Sequence, residues 1–277
     1  MRFRLRTALR TLLFASLTAV IAPVPSEAAD IPNLSGLWQH GPLEELEPLP
    51  WQPAAVRHLN GPLDRGNVHV LFTGDHRNPN LKPWAAEIVR KITEQTLATD
   101  AAGQPVITNN PQESCRASGV PNVLLLPGPM QILQDPSSVT ILHQRDHQVR
   151  RAHFAREHSK TLKPRPYGES IADYAGDTLV IDTIGMTDEH PLDMFGTPHT
   201  TALHVVERYR LINDGRQLEV RITIDDPGTF HRPFETRMVY NRSNATVITE
   251  EICAENNRLP TTGEYAIPTA RPVEPRY

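Results

Sequence analysis

The sequence predicts a mainly β protein, an antiparallel meander that forms a barrel or a sandwich and carries one helix. Short runs of alternating apolar and polar residues recur through the second half of the chain, and turn-forming residues separate them. The most regular run places four apolar side chains on one face: Leu218, Val220, Ile222 and Ile224. A half-buried strand requires this period of two. Only one stretch after the N-terminus has a clear helical period, so an all-β class is expected.

Residues 1–28 have the features of an export signal. Arginines up to Arg10 precede an apolar stretch from Thr11 to Val24, and small residues around Ala28 suit cleavage. A membrane anchor is the alternative, but the stretch is shorter than the ~20 residues that a spanning helix needs. We expect a periplasmic or secreted protein of about 250 residues, without an integral membrane span after signal cleavage.

The charge of the chain argues against two classes of partner. The 277 residues carry a net charge of -4, and removal of the arginine-rich signal makes the remainder more acidic. Binding of nucleic acid or of an anionic membrane calls for a clustered basic face. Neither partner is expected, and a small, partly apolar molecule is the predicted ligand.

The exported part contains two cysteines, Cys115 and Cys253. In an oxidising compartment they favour a single disulfide that closes a long loop. Such a bridge contributes about 3–5 kcal/mol in the loop-entropy model. Two unpaired buried thiols are the alternative. Neither cysteine lies in a Cys-His motif, so a catalytic cysteine is not expected.

Residues 29–110 are rich in proline and are expected to wrap around the β domain as extended segments. Gly36-Leu37-Trp38 on the first strand is similar to the Gly-x-Trp of lipocalin-type barrels, in which the tryptophan closes one barrel end. A simple buried aromatic is the alternative. After Pro83, apolar residues at helical spacing, beginning with Trp84 and Ile88, predict the one helix over 84–97.

Residues 111–258 form the predicted antiparallel β domain, and residues 259–277 an extended tail. The predicted strands are 130–134, 138–143, 149–154, 177–184, 202–211, 218–225, 234–240 and 245–253. The last two strands are expected to pair with each other. His143 shares a face with Val139 and Ile141 and should therefore point toward the core. Residues 157–168, which contain lysines, an arginine and prolines, are expected to form a solvated loop.

Several motifs between residues 115 and 258 resemble those of a large family of exported bacterial β-rich proteins. They are Gly168-Glu-Ser-Ile-Ala, Gly176-Asp-Thr-Leu-Val-Ile-Asp-Thr, Pro198-His, Leu203-His-Val-Val-Glu-Arg and the segment around Cys253. Members of the family usually have Gly-His-Ser-Ile-Gly and a tryptophan where this chain has Glu169, Ala172 and Tyr174. The family has no established general activity, so the resemblance implies an exported β fold and no particular reaction.

The loop over residues 186–200 is rich in ionisable side chains, and more follow on the next strand. They are Asp188, Glu189, His190, Asp193, His199, His204 and Glu207. A histidine held by a carboxylate can move a proton near neutral pH, because the carboxylate fixes its tautomer. The alternative is that these groups cap strands and hold the loop in place.

The leading functional hypothesis is an exported, cofactor-independent enzyme that transfers protons as a lyase, dehydratase or isomerase. Its substrate would be a small, partly apolar molecule held in the barrel. His199 or His204 would act as base or acid, oriented by Asp193 or Asp188. Tyr174 or Tyr209 would donate a hydrogen bond to a developing oxyanion. The complete candidate set is His199, His204, Asp193, Asp188, Glu207 and Tyr174.

Two alternatives stay open. A periplasmic protein could bind a hydrophobic small molecule in the same barrel without catalysis. A metal-dependent enzyme could use nitrogen and oxygen ligands from His190, Asp193, His199 and His204, although no compact zinc signature is present. The sequence contains neither Gly-x-Ser-x-Gly nor a glycine-rich nucleotide motif, so no organic cofactor is expected and a metal ion is possible.

Overall fold

The computed structural model describes residues 31–40, 74–97, 115–125, 128–245 and 247–253. Within them, nine strands close into one barrel in sequence order, with the first strand paired to the last. The elements are β1 (Gly36–His40), α1 (Pro83–Leu97), α2 (Asn122–Leu125), β2 (Met130–Gln134), β3 (Ser138–His143), β4 (Val149–Phe154), β5 (Glu169–Ala175), β6 (Thr178–Ile184), β7 (His204–Ile212), β8 (Gln217–Asp225) and β9 (Phe234–Arg242). The predicted β class is confirmed, as a barrel rather than a sandwich.

The predicted export signal and the predicted C-terminal tail lie outside the described residues, as does most of the proline-rich segment. No helix within the described ranges has the length and apolar character needed to span a bilayer.

The barrel departs from a simple meander at one seam. All neighbouring strands are antiparallel except β4 and β5, which run parallel and pair only from Ala152–Ser170 to Phe154–Ala172. Parallel neighbours need a connection that returns to the starting end. Residues 155–168 make this return, so the predicted solvated loop is also a crossover.

The predicted pairing of 234–240 with 245–253 is wrong. One edge of β9 is bonded to β8 and the other to β1, with Trp38 opposite Arg242. No free edge of β9 remains for another strand. Residues 247–253 instead run back to the turn between β3 and β4, where the Cys253 amide donates to Asp146 Oδ1 at 3.2 Å.

The disulfide prediction is confirmed. Cys115 and Cys253 are bonded across 138 positions of sequence, with their Cα atoms 5.4 Å apart. The bridge joins the segment before α2 to the segment that follows β9.

The interior of the barrel is filled by side chains. Trp38 is fully buried, its Nε1–H donates to the Leu34 carbonyl at 2.9 Å, and the Arg242 guanidinium lies 4.2 Å from its ring. Inward-facing residues of the longest strands, such as Leu179 and Val220, are also fully buried. The barrel centre is therefore a packed core.

The predicted helix is present as α1 and contacts the segment between β8 and β9, but its most buried residues are not those at the spacing that begins with Trp84 and Ile88. Ala85, Val89 and Thr93 are buried, whereas Trp84 is largely exposed and donates from Nε1 to the Gly228 carbonyl at 2.9 Å.

Candidate functional site

A cleft opens in the barrel wall where β4 and β5 separate. Their pairing begins at Ala152 and Ser170, so the earlier part of β4 is not bonded to the chain that enters β5. A cavity of about 620 Å³ lies there, between residues 149–153 and 165–170. We call it the seam cleft.

The seam cleft leads from the outer surface toward the interior. Among its lining residues, Val149 and Arg151 are exposed on the outer side of β4. Arg150 and Ser170 also line it, yet both are buried, on the face that points into the barrel. Since side chains alternate across a strand, the lining includes residues of both faces of the wall.

A buried ion pair stands at the inner end of the seam cleft. Arg150 Nη2 donates to Glu207 Oε1 at 2.7 Å and Arg150 Nη1 to Glu207 Oε2 at 3.1 Å, while the Tyr209 hydroxyl also donates to Glu207. Arg150 is 4% exposed and the other two are fully buried. We call these three residues the buried ion-pair cluster.

Burial and charge act together on the titration of this cluster. Burial alone would lower the pKa of Arg150, but the adjacent Glu207 carboxylate raises it above its usual range. Burial, reinforced by Glu207, raises the pKa of Tyr209 well above its ordinary value. Arg150 therefore stays charged and Tyr209 stays a neutral donor.

Two buried nitrogen atoms beside this cluster have no hydrogen-bond partner among the described residues: Arg150 Nε and His143 Nε2. His143 points inward, as predicted. Burial lowers the pKa of His143 to about 3, and the Arg150 charge acts in the same direction. A neutral imidazole and a guanidinium edge therefore remain available for hydrogen bonding inside the wall.

Tyr167 forms part of the cleft lining, and a hydrogen bond from its hydroxyl holds the side chain in place. Its hydroxyl donates to Gln148 Oε1, which also accepts the Ser118 amide at 2.9 Å. Burial raises the pKa of Tyr167 to about 12. The ring therefore presents a fixed, uncharged surface to the cleft.

A second polar cluster lies on the outside of the barrel. His158 Nε2 and His204 Nε2 contact Asp182 Oδ1 at 3.1 and 2.9 Å, and His158 Nδ1 contacts Glu169 Oε1 at 3.3 Å. All four side chains are partly exposed. We call them the outer histidine–carboxylate cluster.

Of the predicted catalytic residues, His199 lies in a buried histidine pair in the loop before β7. Its Nε2 is 3.3 Å from His190 Nδ1, and its Nδ1 is 3.0 Å from the Thr200 carbonyl. Burial lowers the pKa of His199, and burial with the nearby His199 lowers the pKa of His190 to about 4. The exposed Asp188 acts on both rings only through space, against that shift. Both imidazoles are thus neutral near pH 7.

Asp193 stabilises its own loop. Its Oδ1 accepts the amides of Phe195 and Thr197 at 2.9 and 3.1 Å, while burial raises its pKa to about 6. Tyr174 lies near the opposite end of the barrel, where its hydroxyl accepts Gln134 Nε2 at 2.7 Å.

No hydrogen bond joins any two of the six predicted catalytic residues. Glu207 is inside the wall, His204 bonds Asp182 on the outer face, and His199 bonds another histidine. The loop therefore does not supply the histidine–carboxylate pair facing a cavity that proton transfer there would require.

The four predicted metal ligands are also divided, since His190 and His199 form the buried pair while Asp193 and His204 have other partners. In the described ranges, no group of three or more His, Cys, Asp or Glu side chains is arranged to hold a metal ion. A metal-dependent activity stays a prediction.

Arg150 was not among the sequence candidates, although a signal for it exists. It is in phase with Ala152 on β4 and lies opposite Ile141 of β3, which faces the core. Glu207 interrupts an otherwise apolar face on β7. An inward acid requires an inward base, and Arg150 is the base that faces it.

Comparisons with known proteins leave the function open. No family model and no curated protein sequence matches the chain. Among solved structures, a REP1-NXSQ fatty acid transporter is similar at 12% identity and a TM-score of 0.28, over 49% of this chain and 89% of that one. A mutant of that transporter gives 11% identity and a TM-score of 0.27, over 48% and 88%. Likeness this weak carries no functional argument, and the resemblance to an exported bacterial family stays a prediction.

Proposed function

We propose that the protein binds a small, partly apolar molecule in the seam cleft. The observation that carries the proposal is a cavity of about 620 Å³ at the β4–β5 seam, with the buried Arg150 and Ser170 among its lining residues. Sites for small organic ligands commonly have volumes of about 300–1,000 Å³. They combine an apolar surface with a few fixed polar atoms, and this cavity has both.

The lining supports a ligand of mixed character. Val149, Pro166 and the Tyr167 ring offer apolar contact, and Val149 is 48% exposed although it is a large aliphatic residue on a strand. The buried Arg150 and Ser170 are polar members of the same lining. A molecule with an apolar body and one polar end would match this order of surfaces.

The seam cleft is a better site than the barrel centre, because side chains already fill the centre and a ligand there would displace them. Binding is also better supported than proton transfer, since the imidazoles and carboxylates of the loop do not converge on a cavity.

We place this binding outside the cytoplasm. The disulfide between Cys115 and Cys253 supports an oxidising compartment. The predicted export signal leads to the same compartment.

A neutral fluorescent dye tests the proposal. Nile red should bind the purified protein at a single site with increased emission. Val149→Trp fills the mouth of the cleft and should weaken binding at least tenfold. Leu133→Trp is the matched control, because Leu133 is also an exposed aliphatic strand residue, at 45%, but lies on β2. That variant should bind as the wild type does.

Equal binding by both tryptophan variants, or no saturable binding by the wild type, would overturn the proposal. Far-UV circular dichroism and the urea midpoint establish that each variant is folded, so loss of binding by Val149→Trp alone identifies the cleft.

A further inference from the structure

The Arg150 side chain has a donor that no group among the described residues accepts. A guanidinium has two hydrogen-bonding edges, and Glu207 occupies the one formed by Nη1 and Nη2. The Nε–H on the other edge is buried and has no partner in the part of the chain that the structure describes. A buried donor without an acceptor is costly, and Arg150 lines the seam cleft. Nε is closed to water in this structure, so a ligand in that cleft supplies the missing acceptor only after displacing the side chains that cover the atom.

The Glu207 carboxylate does not prevent an anion from binding at the Nε edge of Arg150. Its two oxygens are directed at the Nη atoms, and the Tyr209 hydroxyl also donates to Oε2. The pair carries no net charge, and the Nε edge lies on its positive side. An oxyanion that meets this edge gains a charge-assisted hydrogen bond.

The charges around the seam cleft favour the same class of ligand. Besides Arg150, the lining contains Arg151 and Arg165 as cations and Glu169 as the one carboxylate. The Ser159 amide donates to Glu169 at 2.6 Å, and His158 also contacts it. The chain as a whole carries -4, so the cleft is a local cationic surface on an acidic protein. Such a surface concentrates anions at its mouth.

We infer that the seam cleft selects amphipathic acids, with the carboxylate accepting the Arg150 Nε–H and the apolar body lying against Val149 and Tyr167. The inference rests on the proposed function and adds the chemical class of the ligand. Arg151 and Arg165 attract the acid, and the buried Arg150 discriminates its head group.

Displacement of Nile red by four molecules with the same ten-carbon chain tests this inference. Decanoate should displace the dye at a concentration at least tenfold lower than decanol or decylamine, below the concentrations at which any of them forms micelles. Methyl decanoate keeps a carbonyl acceptor but removes the charge, and it should behave as decanol does. The preference for decanoate should persist in high salt, because a buried contact is screened weakly.

The role of Arg150 is tested with the variant Arg150→Met/Glu207→Leu. It replaces both charged side chains together and so avoids a lone buried ion. Its ratio of decanol to decanoate displacement concentrations should fall from at least ten to about one. Arg210→Met is the control, since it removes the same charge from the outer wall, where Arg210 pairs with Asp177. That variant should keep the wild-type ratio. Circular dichroism confirms the fold of each protein.

Failures of the two proposals are distinguishable. If Nile red does not bind the wild type, the cleft is not a ligand site and both proposals fail. If Nile red binds but decanol or the methyl ester competes as well as decanoate, the cleft binds apolar molecules and the selection of acids is wrong. A preference for decanoate that persists in the double variant would also overturn the role of Arg150.

Discussion

The two faces of the β6–β7 wall carry charged groups in opposite environments. On the inner face, the buried ion-pair cluster is removed from water, and its Arg150 Nε has no partner within the described ranges. On the outer face, each imidazole of the outer histidine–carboxylate cluster contacts a carboxylate and solvent reaches all four side chains. On β7, the Glu207 and Tyr209 side chains both point into the barrel, whereas those of His204 and Arg208 point outward.

The difference teaches which polar groups are informative about function. A partly exposed cluster on the surface can be satisfied by water and gains little from its pairing. A buried charge must be compensated by the protein, so an unsatisfied atom beside it calls for an explanation that a surface group does not need. Four predictions test this contrast between the faces.

The largest loss of stability is expected when the ion pair between Arg150 and Glu207 is broken. Glu207→Leu leaves the Arg150 charge unpaired in the core and should lower the free energy of unfolding by about 3–5 kcal/mol. Arg150→Met/Glu207→Leu should recover most of this loss. Urea denaturation measures both variants. Equal destabilisation of the single and double variants would assign the loss to packing and not to charge.

The inner histidine should make stability depend on pH. The pKa of His143 is lowered to about 3 in the folded protein, so between about pH 6.5 and 3 the unfolded chain takes up a proton that the folded protein does not. Acid therefore destabilises the fold. From pH 7 to 4, the wild type should lose about 2–3 kcal/mol more than His143→Leu. Unfolding free energies at each pH provide the test, and parallel profiles for the two proteins would contradict it.

A smaller effect is expected from the hydroxyl pair beside the cleft. Ser170 Oγ and Thr183 Oγ1 are hydrogen-bonded at 2.9 Å, and both residues are buried. Thr183→Val leaves Ser170 without this partner and should cost about 1 kcal/mol. Ser170→Ala/Thr183→Val should be no less stable than Thr183→Val, as judged by thermal and urea unfolding. An additional loss in the double variant would show that the hydroxyls act independently.

The smallest change in stability is expected for a substitution on the outer face. Asp182→Asn keeps an oxygen that can accept from His158 and His204 but removes the negative charge. It should change the free energy of unfolding by less than about 1 kcal/mol, and the difference should shrink in about 1 M salt. A loss comparable with that of Glu207→Leu would remove the distinction between the two faces.

Much of the fold follows from local patterns. Alternation along β7 and β8 predicts which residues face the core, and alternation along β3 places His143 inside correctly. The parallel β4–β5 seam does not follow, because a period of two specifies faces and not the direction of the neighbouring strand. The cleft arises from that seam, so it could not be predicted either.

The site was harder to predict because density of ionisable residues in sequence is a poor guide to convergence in space. Asp193 is held by amides two and four residues away. His190 lies against Gly119, where a Cβ would be 1.9 Å from the ring Cε1, so that contact depends on a distant glycine. Arg150 and Glu207 meet across 57 positions of sequence. Such a pair is recognised only when the barrel brings β4 and β7 together.

The disulfide also determines how the barrel is closed. Cys115 and Cys253 enclose β2 to β9 in one covalent ring, whereas β1 (Gly36–His40) enters from outside that ring. This strand completes the wall through only three paired positions on each side. The circle of strands is thus an eight-strand sheet within the covalent ring, completed by a ninth strand from outside it. The disulfide therefore does not hold β1 in the barrel. If β1 detached, the edges of β2 and β9 would be exposed while the disulfide stayed intact.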